Sequence, residues 1–195
     1  CIDADGFITT INDEKWSGQI RRYGLAGTNI LKKPSGFSYV STNSFNFADN
    51  PPVYRDVTST YGTYIYCAFN AITCDEDGFY YVVDGTRGRI YVYDTDVNLL
   101  SVFGGGLNNG NQLGTFVSPS AIKVYGEDLL VADFSTGKIT VFRLTDYGKL
   151  LKQADSLTVA CHYPEAKPYW EKINAEDKNC QLAYRGLSKA ALKGL

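Results

Sequence analysis

The sequence predicts a mixed fold, mainly antiparallel β in repeated units of short strands, with an all-α tail. Three observations carry this. VVDGTRGRIYVYD (residues 82–94) is answered by VADFSTGKITVFR (131–143), with valine, aspartate, glycine, a cation, isoleucine and an aromatic at matched places. In RIYVY both alternating sets, Ile90 with Val92 and Tyr91 with Tyr93, are apolar or aromatic, so the sheet is covered on both faces. After residue 144 the apolar period lengthens to that of a helix.

The elements follow in order. IDADGFITT (2–10) and GQIRRYGLAGTNIL (18–31) form a weaker first copy, in which Gly18, Gln19, Ile20 and Tyr23 answer Gly88, Arg89, Ile90 and Tyr93. An insertion over about residues 32–67 separates it from the second copy. That copy reads as four strands, AITCD, FYYVVD, RIYVYD and NLLSVFG, with EDG and GTRG as turns. The third repeats it, SAIKVYGED (120–128) answering NAITCDEDG (70–78). Meanders that need cover on both faces are stacked one on the next, the logic of a propeller. In the tail, three lines of apolar residues have helical spacing: Leu150, Ala154 and Leu157; Ala166, Trp170 and Ile173; Ala183, Leu187 and Ala191. Thr145 or Asp146 caps the first helix, and Pro164 suits the first turn of the second.

These strand copies resemble NHL repeats: an apolar strand, an Asp-Gly turn, a strand ending in Val-x-Asp, a short loop, a basic residue and an Ile-x-apolar-aromatic run. The first copy departs from that pattern, with TINDEKWSG where the aspartate-bearing loop belongs. The resemblance implies four-stranded propeller-type blades over residues 1–144, about three of them, making a partial propeller. Residues 145–195 resemble a tetratricopeptide (TPR) helical hairpin followed by the first helix of a further repeat. There Ala154 and Ala166 let two helices approach, and Trp170 fills the groove between them.

Composition narrows the function. A net charge of −2 argues against a nucleic-acid partner, including RNA. No apolar run is long enough to span a bilayer. The chain starts at Cys1 within a strand-like pattern and has no methionine, so it reads as a piece of a larger protein, and any anchor is expected outside it. Its 5 cysteines lack paired metal-binding spacing and read as free thiols, with Cys67–Cys74 the nearest pair for a disulfide.

Each chemical motif has a plain structural explanation. Asp84 with Arg87 or Arg89, and Asp133 with Lys138, could line a cation site. Because the feature recurs with the repeat, it reads instead as an aspartate accepting N–H bonds in its own turn. His162, beside Cys161 and near Glu165, is the only histidine and sits at a helix–helix turn, a poor place for a catalytic pair. GGGLNNGNQLG (104–114) lacks the strand-to-helix context of a phosphate loop, and DEDG (75–78) lacks EF-hand spacing. No catalytic residue, metal ligand or cofactor is expected.

The insertion carries the binding expectation. It is long, aromatic and polar, and Tyr39, Phe45, Phe47, Tyr54, Tyr61 and Tyr64 are its candidate partner contacts. The expected function is a non-enzymatic binding or scaffold module for a protein partner or a surface glycan, with self-association through open sheet edges. The alternative is a metal-dependent propeller hydrolase or lyase. Analogy with bacterial proteins that join such blades to such helices implies an extracellular or cell-envelope location.

Overall fold

A computed structural model describes residues 1–3, 5–11, 20–31, 54–56, 63–65, 69–85, 87–105 and 112–193, with the backbone alone for 54–56 and 63–65. The chain divides into two compact units, Cys1–Phe142 and Arg143–Leu195. The fold is mixed: antiparallel sheets followed by three helices. Among the described residues no sheet closes into a barrel.

In the first unit β1 (Ile8–Ile11) pairs with β2 (Ile20–Tyr23). A four-stranded meander follows, made of β5 (Phe69–Cys74), β6 (Tyr80–Asp84), β7 (Arg89–Tyr93) and β8 (Leu99–Gly104), after the short pair β3 (Tyr54–Asp56) and β4 (Thr63–Ile65). The third copy gives β9 (Pro119–Tyr125), β10 (Asp128–Asp133) and β11 (Lys138–Arg143). Within the insertion β3 and β4 pair antiparallel. One expectation is corrected: the third copy stops at three strands and not the four of a blade, because Thr145 caps a helix where the fourth would begin.

Strand alternation explains how the sheets meet. On β6, Tyr80 and Val82 point one way and join Ile20 and Leu31 of the first copy, with Tyr91 and Tyr93, in one core. Tyr81 and Val83 point the other way and join Ile122, Leu129 and Val131 of the third copy, with Ile90, in a second core. Every residue of β6 is buried, as a sheet covered on both faces requires. The first core is aromatic: Phe69 lies 5.6 Å from Tyr91 and 6.5 Å from Tyr93 between ring centroids, in tilted and edge-on geometry.

The repeat extends to backbone detail. A bulge separates Phe69↔Asp84 from Ala71↔Val83, and another separates Pro119↔Asp133 from Ala121↔Ala132. The first copy has the same plan in reduced form, its two strands flanked by single bridges, Ile2↔Ile8 and Tyr23↔Asn29.

The second unit contains α1 (Asp146–Val159), α2 (Tyr163–Glu176) and α3 (Gln181–Lys193). Thr145 Oγ1 accepts the Gly148 N–H at 3.1 Å, so of the two expected caps Thr145 is the N-cap and Asp146 stands in the first turn. Trp170 is buried with Ala154, Ala166, Ile173 and Ala183. Its indole N–H donates to Thr158 Oγ1 (2.8 Å), which donates on to the Ala154 carbonyl (2.8 Å), so the polar atom in this core is satisfied. On α3 the buried line is Ala183, Gly186 and Ala190, and Ala191 is exposed. Three-then-four spacing stays on one face of a 3.6-residue helix, whereas the expected four-and-four spacing rotates off it.

Candidate functional site: the turn cluster around Asp3

Four hairpin turns share one backbone plan. In each, residue i donates its N–H to the carbonyl of i+4, and i+3 donates back to the carbonyl of i: residues 3–7, 24–28, 75–79 and 94–98. The i+3 residue takes positive φ, and it is Gly6, Gly27 and Gly78 in three turns but Val97 in the fourth (φ 61°). Three of the turns begin with aspartate, and its Oδ1 accepts the N–H of i+2 and of i+4. Asp3 takes Asp5 and Phe7 (3.1 and 3.0 Å), Asp75 takes Asp77 and Phe79 (3.1 and 3.0 Å), and Asp94 takes Asp96 and Asn98 (2.9 and 2.7 Å).

The second oxygen of each aspartate reaches outward. Asp75 Oδ2 accepts from Tyr81 Oη at 2.9 Å and Asp94 Oδ2 from Asn98 Nδ2 at 2.6 Å. Asp3 Oδ2 does more: it pairs with Arg22 Nε and accepts from Tyr80 Oη at 3.2 Å and Thr9 Oγ1 at 3.4 Å. Arg22 also donates from Nη2 to Asp5 at 2.6 Å, and its guanidinium lies 4.7 Å over the Phe7 ring. Asp3, Asp5, Arg22, Asp77, Gly78, Tyr80 and Thr95 line a cleft of about 80 Å³ where the turns meet. This holds a few waters and falls well short of the roughly 300 Å³ at the low end for small-molecule pockets.

Electrostatics fits a clasp. Burial alone would raise the Asp3 pKa, but the Arg22 hydrogen bond, the Phe7 N–H and the Arg22 charge outweigh it and hold the carboxyl below its ordinary value. Burial pushes the Tyr80 phenol up to about 12, so it stays a donor to Asp3. Asp94 is raised, chiefly by burial, against the pull of its Asn98 contacts.

The loops between β6 and β7 and between β10 and β11 hold Asp84 and Asp133. Asp84 Oδ1 accepts the Arg87 N–H at 3.2 Å, and Asp133 Oδ1 accepts the Thr136 N–H at 3.0 Å. Asp133 Oδ2 also accepts from the N–H groups of Val117 (2.6 Å) and Ser118 (3.1 Å). Burial opposes ionisation of Asp133, but these backbone donors prevail and lower its pKa. Arg87 is buried with Nε 3.7 Å from Asp84 Oδ2, and its Nη1 donates to Tyr91 Oη at 3.4 Å. Each aspartate therefore closes its own turn through Oδ1, and Asp133 also holds the segment before β9 through Oδ2.

Cys161 and His162 serve a helix end. His162 N–H bonds the Leu157 carbonyl at 2.8 Å and Cys161 N–H bonds that of Thr158 at 3.2 Å, the paired bonds of a Schellman motif. Cys161 has φ 62°, where glycine is usual. Cys74 is a free thiol whose Sγ donates to the Ile2 carbonyl at 3.0 Å, while Cys67 lies outside the described residues. Among the described residues no cluster of three or more His, Cys, Asp or Glu could hold a metal, and no helix is long and apolar enough to cross a membrane.

Of the six candidate partner contacts, Tyr39, Phe45, Phe47 and Tyr61 lie outside the described residues. Tyr54 and Tyr64 sit on β3 and β4, where Arg55 pairs with Tyr64. No local pattern joins Asp3, Arg22 and Tyr80 in the sequence, although DADGF (3–7) and DEDGF (75–79) are near-copies and signal a shared turn. No family model matches the chain, and no curated protein matches it.

Proposed function

We propose that this chain is a non-enzymatic binding or scaffold module of propeller-type blades followed by TPR-like helices, engaging a protein partner or a surface glycan. One observation carries the reading: each aspartate that recurs with the repeat directs one carboxylate oxygen to backbone N–H groups of its own turn. Chemistry-bearing side chains used this way build a frame, and a frame of repeats presents surfaces. The proposed contacts are Tyr39, Phe45, Phe47, Tyr54, Tyr61 and Tyr64, in a module placed at the cell envelope or outside the cell.

Two measurements test it. Elemental analysis of the purified chain is expected to show no stoichiometric metal; a bound metal together with turnover of lactone or ester substrates would replace this reading with the hydrolase or lyase one. A glycan array and protein-partner screens on the chain are expected to yield a ligand whose binding falls at least about tenfold when Phe45, Phe47 and Tyr61 are changed to serine. Unchanged binding would remove the insertion from the interface.

A further inference from the structure

The junction between the first sheet and the second brings two thiols to one place. Cys1 donates from its nitrogen to the Thr9 carbonyl at 2.8 Å, and the Thr9 N–H donates back to the Cys1 carbonyl at 2.9 Å. Residues opposed in this way send their side chains to the same face. Thr9 is fully buried on the face that meets the second sheet, where its Oγ1 lies 3.5 Å from Tyr80 Oη. Asp3, two residues along from Cys1, accepts from the same phenol. Strand alternation therefore puts Cys1 on the face of the first sheet that is turned to the second.

Cys74 comes from the other side. It ends β5 directly opposite Tyr80 and shares its face, packing against the core that holds Tyr80, Tyr93 and Ile20. Its neighbour Thr73 points the other way and accepts the N–H of Val124 in the third sheet at 3.5 Å. Cys74 Sγ donates to the Ile2 carbonyl at 3.0 Å, so the sulfur lies within one residue step of the level of Cys1, about 3.4 Å along the strand. Electrostatics shows the same closeness. Burial pushes the Cys74 thiol above its ordinary value, and the ammonium group of Cys1 acts against it ahead of every other charge. Both cysteines are free thiols, Cys1 exposed and Cys74 partly covered.

We propose that Cys1 and Cys74 are an oxidisable pair, a disulfide site that joins the first sheet to the second beside the Asp3 clasp. Disulfides between facing sheets are an established feature of β-sandwiches. The oxidant is a small-molecule disulfide of the glutathione class. The exposed Cys1 thiolate attacks one of its sulfurs, the S–S bond breaks, and one glutathione thiolate leaves. The Cys74 thiolate then attacks the Cys1 sulfur of the mixed disulfide and releases the second. The protein gives up two electrons and two protons, and oxidised glutathione becomes two molecules of glutathione. The pairing differs from Cys67–Cys74, the nearest in sequence, because facing sheets and not chain distance select it. It does not depend on the partner-binding reading above.

The experiment equilibrates the full 195-residue chain with glutathione buffers of graded redox ratio, blocks the remaining thiols, and maps the linked peptides by mass spectrometry. A Cys1–Cys74 peptide lighter by two hydrogens is expected. It should form in the folded chain at a proportion of oxidised glutathione at least about tenfold lower than in urea, because folding raises the effective concentration of one thiol at the other. Cys67→Ser is expected to keep the link. Cys1→Ser is expected to leave Cys74 as a thiol or as a mixed disulfide with glutathione. Linkage of Cys74 to Cys67 in the folded wild-type chain overturns the proposal, and so does the absence of any protein disulfide at Cys74. Equal formation of the Cys1–Cys74 link in urea and in the folded chain also overturns it, since the fold would then not direct the pairing.

Discussion

At Asp3 a single carboxylate ties two sheets together. Its Oδ1 closes its own turn, while Oδ2 engages Arg22 of β2 and Tyr80 of β6. Asp3→Asn keeps the turn and removes the charge. It is expected to lower stability by about 1–3 kcal/mol near neutral pH, the range for a buried hydrogen bond to a charged group. Because the folded pKa lies below the unfolded value, the contribution is full above about pH 4 and is lost as pH falls through the folded value. Urea midpoints of both proteins should therefore converge on acidification; a gap that stays constant as the pH is lowered from neutral would show that the charge is not what matters. Cys161 gives a change of opposite sign. It holds a left-handed conformation with a side chain that is exposed, so Cys161→Gly is expected to stabilise the second unit by about 0.5–1 kcal/mol, read as a raised midpoint in calorimetry.

Among the elements, α3 depends on one small residue. A Cβ at Gly186 would fall 2.3 Å from Trp170 Cε2, against a ring held in place by its Thr158 hydrogen bond. Gly186→Ala is expected to destabilise the helical unit by about 3 kcal/mol, at the upper end for overpacking, although alanine is the better helix former. Tryptophan emission during denaturant titration measures this, and an unchanged midpoint would mean that α3 does not pack on Trp170 as described. Reading α3 from periodicity placed Ala183 on the buried face and missed Gly186, because spacing marks which apolar residues share a face and is silent about where two helices come closest. The fourfold recurrence of one hairpin turn was also only partly legible. DADGF and DEDGF show it, whereas the 24–28 turn has no aspartate and the 94–98 turn carries Val97 in place of glycine.

For the whole molecule, the two β cores and the helical core consist of separate residue sets. Val83→Ala opens a cavity in the fully buried second core and is expected to cost about 2 kcal/mol. Its effect should fall on amides of β6 and β10 in hydrogen exchange and leave those of α1–α3 unchanged. Gly186→Ala should do the reverse. If either variant shifts protection across both units alike, the cores are not energetically separate.

The sequence by itself determined the repeat, the four strands of the second copy to within one or two residues at their ends, the double-sided burial of β6 and β7, a helix N-cap at Thr145 or its neighbour Asp146, and Pro164 in the first turn of α2. These follow from periods of two and 3.6, from turn residues and from capping chemistry, all local to a few residues. Tertiary structure alone decided that Asp3 meets Tyr80, that Arg87 lies buried beside Asp84 and Tyr91, and that Gly186 faces Trp170. Pairings across many residues are set by how sheets stack and how closely helices pack, and no local pattern encodes that distance.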